Sequence, residues 1–338
     1  MIPERILRKK MKSESRSQTP YRLRPLGKTL SAARVDVAVP TYHPDEKYDR
    51  LLRGLLKQKK AVSRILVINT DREGYREPAL GKRKPEVTHI DPKEFDHAAT
   101  RNALFQKTTG DFVLFMTQDA VPVDDKLVSS LLAAFADPKV AVAYARQMPA
   151  EDCDIIERYT RRFNYPAESR LKTAEDLPEL GIKTFFCSDV CAMYRREAFE
   201  KLGGFPDRAI FNEDMVFARK AINAGYRIAY VAEARVIHSH NYTPIQQLRR
   251  NFDMGVSQTE FAETFRGITS EKTGVKMVFS TAAYLVKTGH SDRLPKLFVM
   301  SGCKFLGYRL GKAYTKLPRT VVFLITTNRD YMRRLRIV

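Results

Sequence analysis

Between residues 34 and 119 the chain alternates short apolar runs with amphipathic segments, an order that few folds accommodate. "RVDVAVPTYHP" (34–44) is an apolar run stopped by two prolines and reads as a strand. "EKYDRLLRGLLKQKK" (46–60) then sets Tyr48, Leu51, Leu52, Leu55 and Leu56 at helical spacing. "RILVINT" is a second strand, "HAATRNALFQKT" a helix closed by Gly110, and "DFVLFMTQD" a further strand. This β-α-β-α-β order predicts an α/β fold, a mainly parallel sheet flanked by helices. In such sheets ligands collect at the carboxyl ends of the strands. "VPTYHP", "INTD" and "MTQD" are therefore expected to meet in one crevice, with Asp119 in it.

Further along, "FFCSDVCAMYRREAFEKLGGFPDRAIFNED" combines a strand, a helix at about 195–202 and a Gly203-Gly204 turn. A helix then opens at Asn212, whose side chain is expected to cap it, and ends at Gly225. The next strand runs into His238 and His240, and from about residue 245 the pattern is mainly helical. In "CKFLGYRLGKAYTKLP", Cys303, Leu306, Leu310, Ala313 and Leu317 follow one face, and Arg309, Lys312 and Lys316 another. Periodicity fits a basic helix on a membrane surface and an ordinary helix packed on the main domain equally well.

The formal net charge of +20 sits at the ends: residues 1–34 carry +8, residues 287–338 carry +10, and the rest only +2. A nucleic-acid-binding core would carry the basic surface itself, so the distribution favours docking on an anionic membrane and argues against a nucleic-acid partner. The expected organisation is a basic mobile tail over 1–34, a main domain over 35–250 and a basic, mainly helical region over 251–338. No segment approaches the roughly 18 consecutive apolar residues of a spanning helix. The N-terminal stretch lacks the apolar centre of a secretory signal. The four cysteines have no CxxC spacing, as expected of reduced thiols. Together these predict a cytoplasmic protein.

The chemistry-bearing candidates are Asp119, Glu213, Asp214, His238 and His240. A strand-end carboxylate with strand-end imidazoles suits a divalent cation that also meets a diphosphate. Each feature has a plainer reading: Asp119 as a turn residue, "HSH" as ordinary histidines, Glu213-Asp214 as a complement to a helix dipole. As chemistry, a carboxylate at a helix start beside a cleft takes a proton from an attacking hydroxyl.

"VAVPTYHP", "HAATRN", "GDFVLFMTQDA", "MYRREAFEKLGGF", "NEDMVFARKAINAGY" and "VIHSHNY", in this order, resemble family 2 glycosyltransferases of the GT-A fold, over about 35–320. "TQDAVP", "FNYP", "CSDVCAMYRREAF" and "GYRLGKAYTKLP" are similar to bacterial rhamnosyltransferases acting on cell-surface polysaccharide precursors. The resemblance implies a GT-A nucleotide-diphospho-sugar transferase fold with a Rossmann-like sheet and a C-terminal helical extension. It implies Mn2+ or Mg2+ on Asp119 with His238 and, as the weaker candidate, His240. It gives Asp214 the role of base, with Glu213 positioning it or the acceptor. It assigns donor binding to Pro40, Thr41, Tyr42, Asn69, Arg101, Gln118 and Asp119, and the sugar or acceptor pocket to Ser188 and Asp189. Thr117 departs from the pattern, standing where many members have the first acid of the motif. Asn69 and Thr70 stand where an acid often reads the base. The implied reaction is inverting transfer from dTDP-L-rhamnose to a polyprenyl-diphosphate-linked saccharide, by an enzyme peripheral to the inner face of the cytoplasmic membrane. The alternatives are a UDP-hexose or galactofuranose donor, a non-catalytic subunit, or a nucleic-acid-binding protein.

Overall fold

Three parallel strands, β1 (Val35–Tyr42), β2 (Arg64–Thr70) and β4 (Phe112–Met116), form the centre of a nine-stranded mixed sheet in a computed structural model. The structure describes residues 21–80, 83–266 and 271–335. The sheet order is β3-β2-β1-β4-β8-β6-β9-β5, where β3 is Glu86–Ile90, β5 Val121–Pro122, β6 Val140–Met148, β8 Cys191–Arg195 and β9 Arg227–Ile237. β7 (Arg170–Lys172) pairs with β9. β1 to β4 are parallel neighbours, β8 runs antiparallel to β4 and β6, and β6 and β9 are parallel. The predicted β-α-β-α-β unit is thus present, and the antiparallel β8 makes the sheet mixed.

The central strands are apolar throughout because both sheet faces are covered. Val37, Val39, Leu114 and Met116 face one core with α1 (Glu46–Leu56). Ala38, Val113 and Phe115 face the other with α2 (His97–Lys107) and α5 (Glu213–Asn223). The main body also holds α3 (Leu127–Ala133), α4 (Ile155–Asn164) and shorter helices, among them Arg196–Lys201 where a helix was expected. The C-terminal part is built from α6 (Pro244–Glu260), α7 (Glu271–Lys287), α8 (Leu294–Lys312) and short helices to Arg334. Its small core holds Phe252, Val256, Tyr314, Val322 and Tyr331, together with Ile210.

Three expectations change. Residues 1–20 of the expected tail lie outside the described residues, but 21–34 pack on the main core through Tyr21, Leu23, Leu26 and Leu30, apolar positions interspersed among the charges. The expected boundary at 250 falls inside α6, which starts on a Thr243-Gln246 capping box with Pro244 in its first turn. Asn212 does not cap α5 with its side chain; it sits at φ 65° and donates to Ser257 Oγ at 2.9 Å instead. Gly225 does close α5, at φ 83°.

The α6–α8 crossing is a backbone-to-backbone contact. A methyl group at Gly307 would be driven into the Leu248 carbonyl, and one at Gly311 into that of Phe252. The buried stripe of α8 therefore runs over Gly307 and Gly311, while Leu306, on the apolar face read from the sequence, is half exposed. Overpacking typically costs about 1–3 kcal/mol, and here the obstacle is main chain that cannot rotate away. Gly311→Val should lower the thermal unfolding midpoint markedly relative to Gly302→Val, whose Cβ meets nothing. Equal midpoints for the two variants would show that the crossing yields freely.

Candidate active site

Asp119, His238 and His240 come together at the carboxyl end of the sheet. Asp119 leaves β4 through a tight turn in which Ala120 N–H donates to Thr117 C=O at 3.1 Å. The two histidines follow β9. Asp119 Oδ2 is 3.5 Å from His238 Nε2 and 3.4 Å from His240 Nε2, and the two imidazole Nε2 atoms are 3.1 Å apart. One ligand atom from each residue lies within 4.8 Å of the others. This donor set, one carboxylate oxygen and two imidazole nitrogens, fits a borderline divalent cation such as manganese. Thr117, in the place of the first acid, has a buried hydroxyl with no partner among the described residues.

What aims His238 is Gln147, near the end of β6 and only 3% exposed. Its Oε1 accepts from the Arg161 guanidinium and lies 2.9 Å from His238 Nδ1. Since that oxygen can only accept, His238 carries its proton on Nδ1 and turns the Nε2 lone pair toward Asp119. The other end of the amide donates to Ser188 Oγ at 3.0 Å. Burial, followed by the fields of Arg161, His240, Arg250 and Lys47, pushes His238 well below the ordinary imidazole range, so it is neutral and able to ligate at pH 7. Burial lowers His240 as well, against the pull of Asp119.

The second cluster surrounds the start of α5. Arg101, on α2 and 4% exposed, pairs with Asp189 at 3.3 Å and with Glu213 at 3.1 Å. Its guanidinium is therefore engaged with buried acids in this structure. Asp189 accepts from Tyr194 O–H at 2.6 Å, and its own N–H donates to Asp214 Oδ2 at 3.2 Å. Burial pushes Asp189 up to about 7 despite the Arg101 charge. Burial also raises Asp214 well above the carboxylate range, reinforced by Glu213 and Asp189. Unlike buried Glu213, Asp214 keeps partial exposure. A raised, accessible carboxylate is what a general base near neutral pH requires. The loop carrying Ser188 and Asp189 is tied down by buried Lys172, which donates to Tyr144 O–H at 3.1 Å and to the Lys183 and Phe186 carbonyls.

At the other strand ends, Gln118 clamps the end of β1 as a strand neighbour would. Its Oε1 accepts from Tyr42 N–H at 2.8 Å, and its Nε2 donates to Tyr42 C=O at 3.0 Å. The Tyr42 ring stays exposed, following Pro40 and Thr41 at the end of β1. Asn69 is 0% exposed, accepts from Thr41 O–H at 2.9 Å and donates to the Asp71 carbonyl. It braces the loop and leaves Asp71, at φ 73° beside His43 (3.1 Å), at the surface. Sequence reasoning missed Asp71, Gln147 and the cations around the triad. Lys47 and Arg50 line, with Asp119 and His238, a cleft of about 420 Å³. Arg250 lies over the rings of Phe211 and Tyr242. A glutamine inside the apolar run "VAVAYARQM" was the one available signal for Gln147.

Comparison with known proteins gives consistent results. The model for glycosyl transferase family 2 matches residues 36–203. The chain is 35% identical over 303 residues to the O-antigen chain rhamnosyltransferase RfbN of Salmonella typhimurium, covering 88% of this chain and 96% of that protein. It is 37% identical over 298 residues to the O-antigen chain rhamnosyltransferase WbaN of Salmonella anatum, covering 87% and 94%. The mannosyltransferase PcManGT of Pyrobaculum calidifontis, solved with GDP-Man and Mn2+, superposes with a TM-score of 0.57 at 16% identity, covering 90% of this chain and 94% of that one. That likeness shows the GT-A fold.

Replacing Gln147 tests whether its amide aims the ligand set. Gln147→Leu should weaken manganese binding by about 10–100-fold, the usual effect of losing such a partner. Calorimetric titration with MnCl2 checks this, and wild-type affinity in the variant would dismiss the orienting role.

Proposed function

The chain belongs to glycosyl transferase family 2, and on that premise we propose that it transfers L-rhamnose from dTDP-L-rhamnose to a saccharide carried on a polyprenyl diphosphate, with inversion. The observation that carries the chemistry is the pairing of two sites through Gln147: Asp119, His238 and His240 on one side, and the raised carboxylate of Asp214 on the other. The choice of rhamnose rests on the names of the two relatives that match nearly end to end.

Asp119, His238 and His240 would hold Mn2+ or Mg2+, which supplies Lewis-acid neutralisation of charge on a departing diphosphate. Lys47, Arg50, Arg161 and Arg250 add positive field on the same side. Pro40, Thr41, the Tyr42 ring and Asp71 receive the nucleobase, with Gln118 and Asn69 fixing that loop. Asp214 accepts the proton of the acceptor hydroxyl as its oxygen attacks the anomeric carbon from the face opposite the leaving nucleotide. Glu213, held by Arg101, positions Asp214, and Ser188 and Asp189 border the sugar pocket. A single displacement of this kind inverts the configuration.

Among the described residues no helix is long and apolar enough to cross a membrane. The C-terminal helices nevertheless expose Phe279, Phe298, Val299 and Phe305, each more than half accessible, among lysines and arginines. This favours peripheral binding to the anionic cytoplasmic leaflet. In liposome sedimentation the protein should prefer anionic over neutral vesicles and be released by salt; equal binding to both would count heavily against membrane docking.

Donor identity and mechanism are tested together. In calorimetry with manganese, dTDP-rhamnose should bind where UDP-glucose and UDP-galactose do not, and Asp119→Ala should abolish the metal-dependent part. A uridine sugar binding in its place would sink the rhamnosyl assignment. Asp214→Asn should still bind donor but transfer about 10²–10⁴-fold more slowly. A carboxylate with a raised pKa is protonated, and useless as a base, below that pKa. The wild-type rate should therefore be full above it and fall as pH drops through it. Asp189→Asn removes a neighbouring negative charge that raises Asp214, so it should move this acid limb to lower pH.

A further inference from the structure

Beside His240 lies a slot between α4, α7 and α8 that the donor chemistry does not use. His240 and Tyr242 form its inner end, and Met277, Leu297 and Met300 supply apolar wall. Among these lies Lys304, partly buried and, among the described residues, with neither a hydrogen bond nor an ion pair. The acids near it are engaged elsewhere: Glu157 holds Arg161 at 2.7 Å, and Asp154 holds Lys296 at 2.8 Å. Burial lowers the Lys304 pKa, with Glu157 pulling the other way. An ammonium group withdrawn from water without a counter-charge is costly, and the cost is relieved by a ligand that brings an anion. The methionine and leucine walls suit an unbranched or lightly branched chain, since Met adapts to irregular apolar shapes. Two of the three helices that frame the slot, α7 and α8, also carry the exposed aromatic residues Phe279, Phe298 and Phe305.

We infer that this slot is the subsite for the acceptor's lipid anchor: an isoprenoid phosphate group pairs with Lys304, and its first isoprene units lie along Met277, Leu297 and Met300. The inference rests on the lipid-linked acceptor proposed above and assigns the anchor to the α4–α7–α8 side of His240. The apolar chain then leaves toward the membrane-facing helices, and the saccharide attached to the phosphate starts next to the catalytic cleft. Neither Lys304 nor Met300 belongs to the donor machinery, so donor and anchor binding are separable by substitution.

The test uses the full-length protein saturated with dTDP and manganese, whose own affinities are measured first. Farnesyl phosphate, farnesol and inorganic phosphate are titrated into wild type, Lys304→Met, Lys304→Arg and Met300→Trp. Farnesyl phosphate should bind wild type and Lys304→Arg similarly, and bind Lys304→Met and Met300→Trp at least about tenfold more weakly, a difference easily resolved. Farnesol and inorganic phosphate should each bind wild type at least about tenfold more weakly than the ester, because each supplies only half of the recognition. Equal affinity of farnesyl phosphate for all four proteins overturns the proposal. Inorganic phosphate binding as tightly as the ester overturns the lipid part and leaves a free-anion site; farnesol doing so overturns the role of Lys304. Loss of dTDP binding by wild type would instead sink the donor reading, and is seen in a separate titration.

Discussion

The amide of Gln147 is the joint between the two clusters of the proposed site. Its oxygen fixes the tautomer of His238, and its nitrogen holds Ser188, the neighbour of Asp189, whose backbone in turn contacts Asp214. Two clusters are thereby tied to a single side chain. The β6–β9 ladder shifts register between Ala145 and Arg146, just before this residue. Such irregularities re-aim side chains beside active sites, and this one immediately precedes the residue that must face the histidines.

Buried charge holds the second cluster in place, and burial pushes the Asp189 and Asp214 carboxylates upward. Arg101 neutralises Asp189 and Glu213 in a region from which water is largely excluded, where one missing partner leaves an uncompensated ion. Asp214 receives no such partner. It is left with two acidic neighbours and two backbone donors, a combination that holds its proton affinity high while its geometry stays fixed. Arginine at 101 thus holds Asp189 and Glu213 in place beside Asp214 without a direct pair to Asp214 itself.

Much of the scaffold was legible because burial on both sheet faces writes itself as continuous apolar runs, as in "RILVINT" and "DFVLFM". Strand ends pointed to a crevice holding Asp119, the family resemblance added His238 and His240, and the three come together at that end of the sheet. Residues acting across elements left no periodic trace. Gln147, Arg161 and Lys47 come from a strand and two different helices, and a polar residue in an apolar run has no spacing to betray its partner. Arg101 was assigned to donor binding, and nothing local to its helix pointed to the acids that hold it, 88 and 112 positions away. Asn212 matched the composition of a helix cap, but tertiary contact with Ser257 took its side chain instead. The packed stretch 21–34 was masked by its charge, which outweighs four apolar contacts in any compositional measure.

The glycine crossing of α6 and α8 leaves no side-chain cushion between two main chains. Five residues past Phe252 on α6, Ser257 donates to the Phe211 carbonyl and accepts from Asn212, the residue immediately before Glu213 and Asp214. Helices separated by rotamers can absorb a push by repacking, whereas helices in backbone contact pass it on. A tilt imposed on α8 would thus be passed through α6 to the Glu213–Asp214 end of α5, as motion in a lever with little play at its pivot.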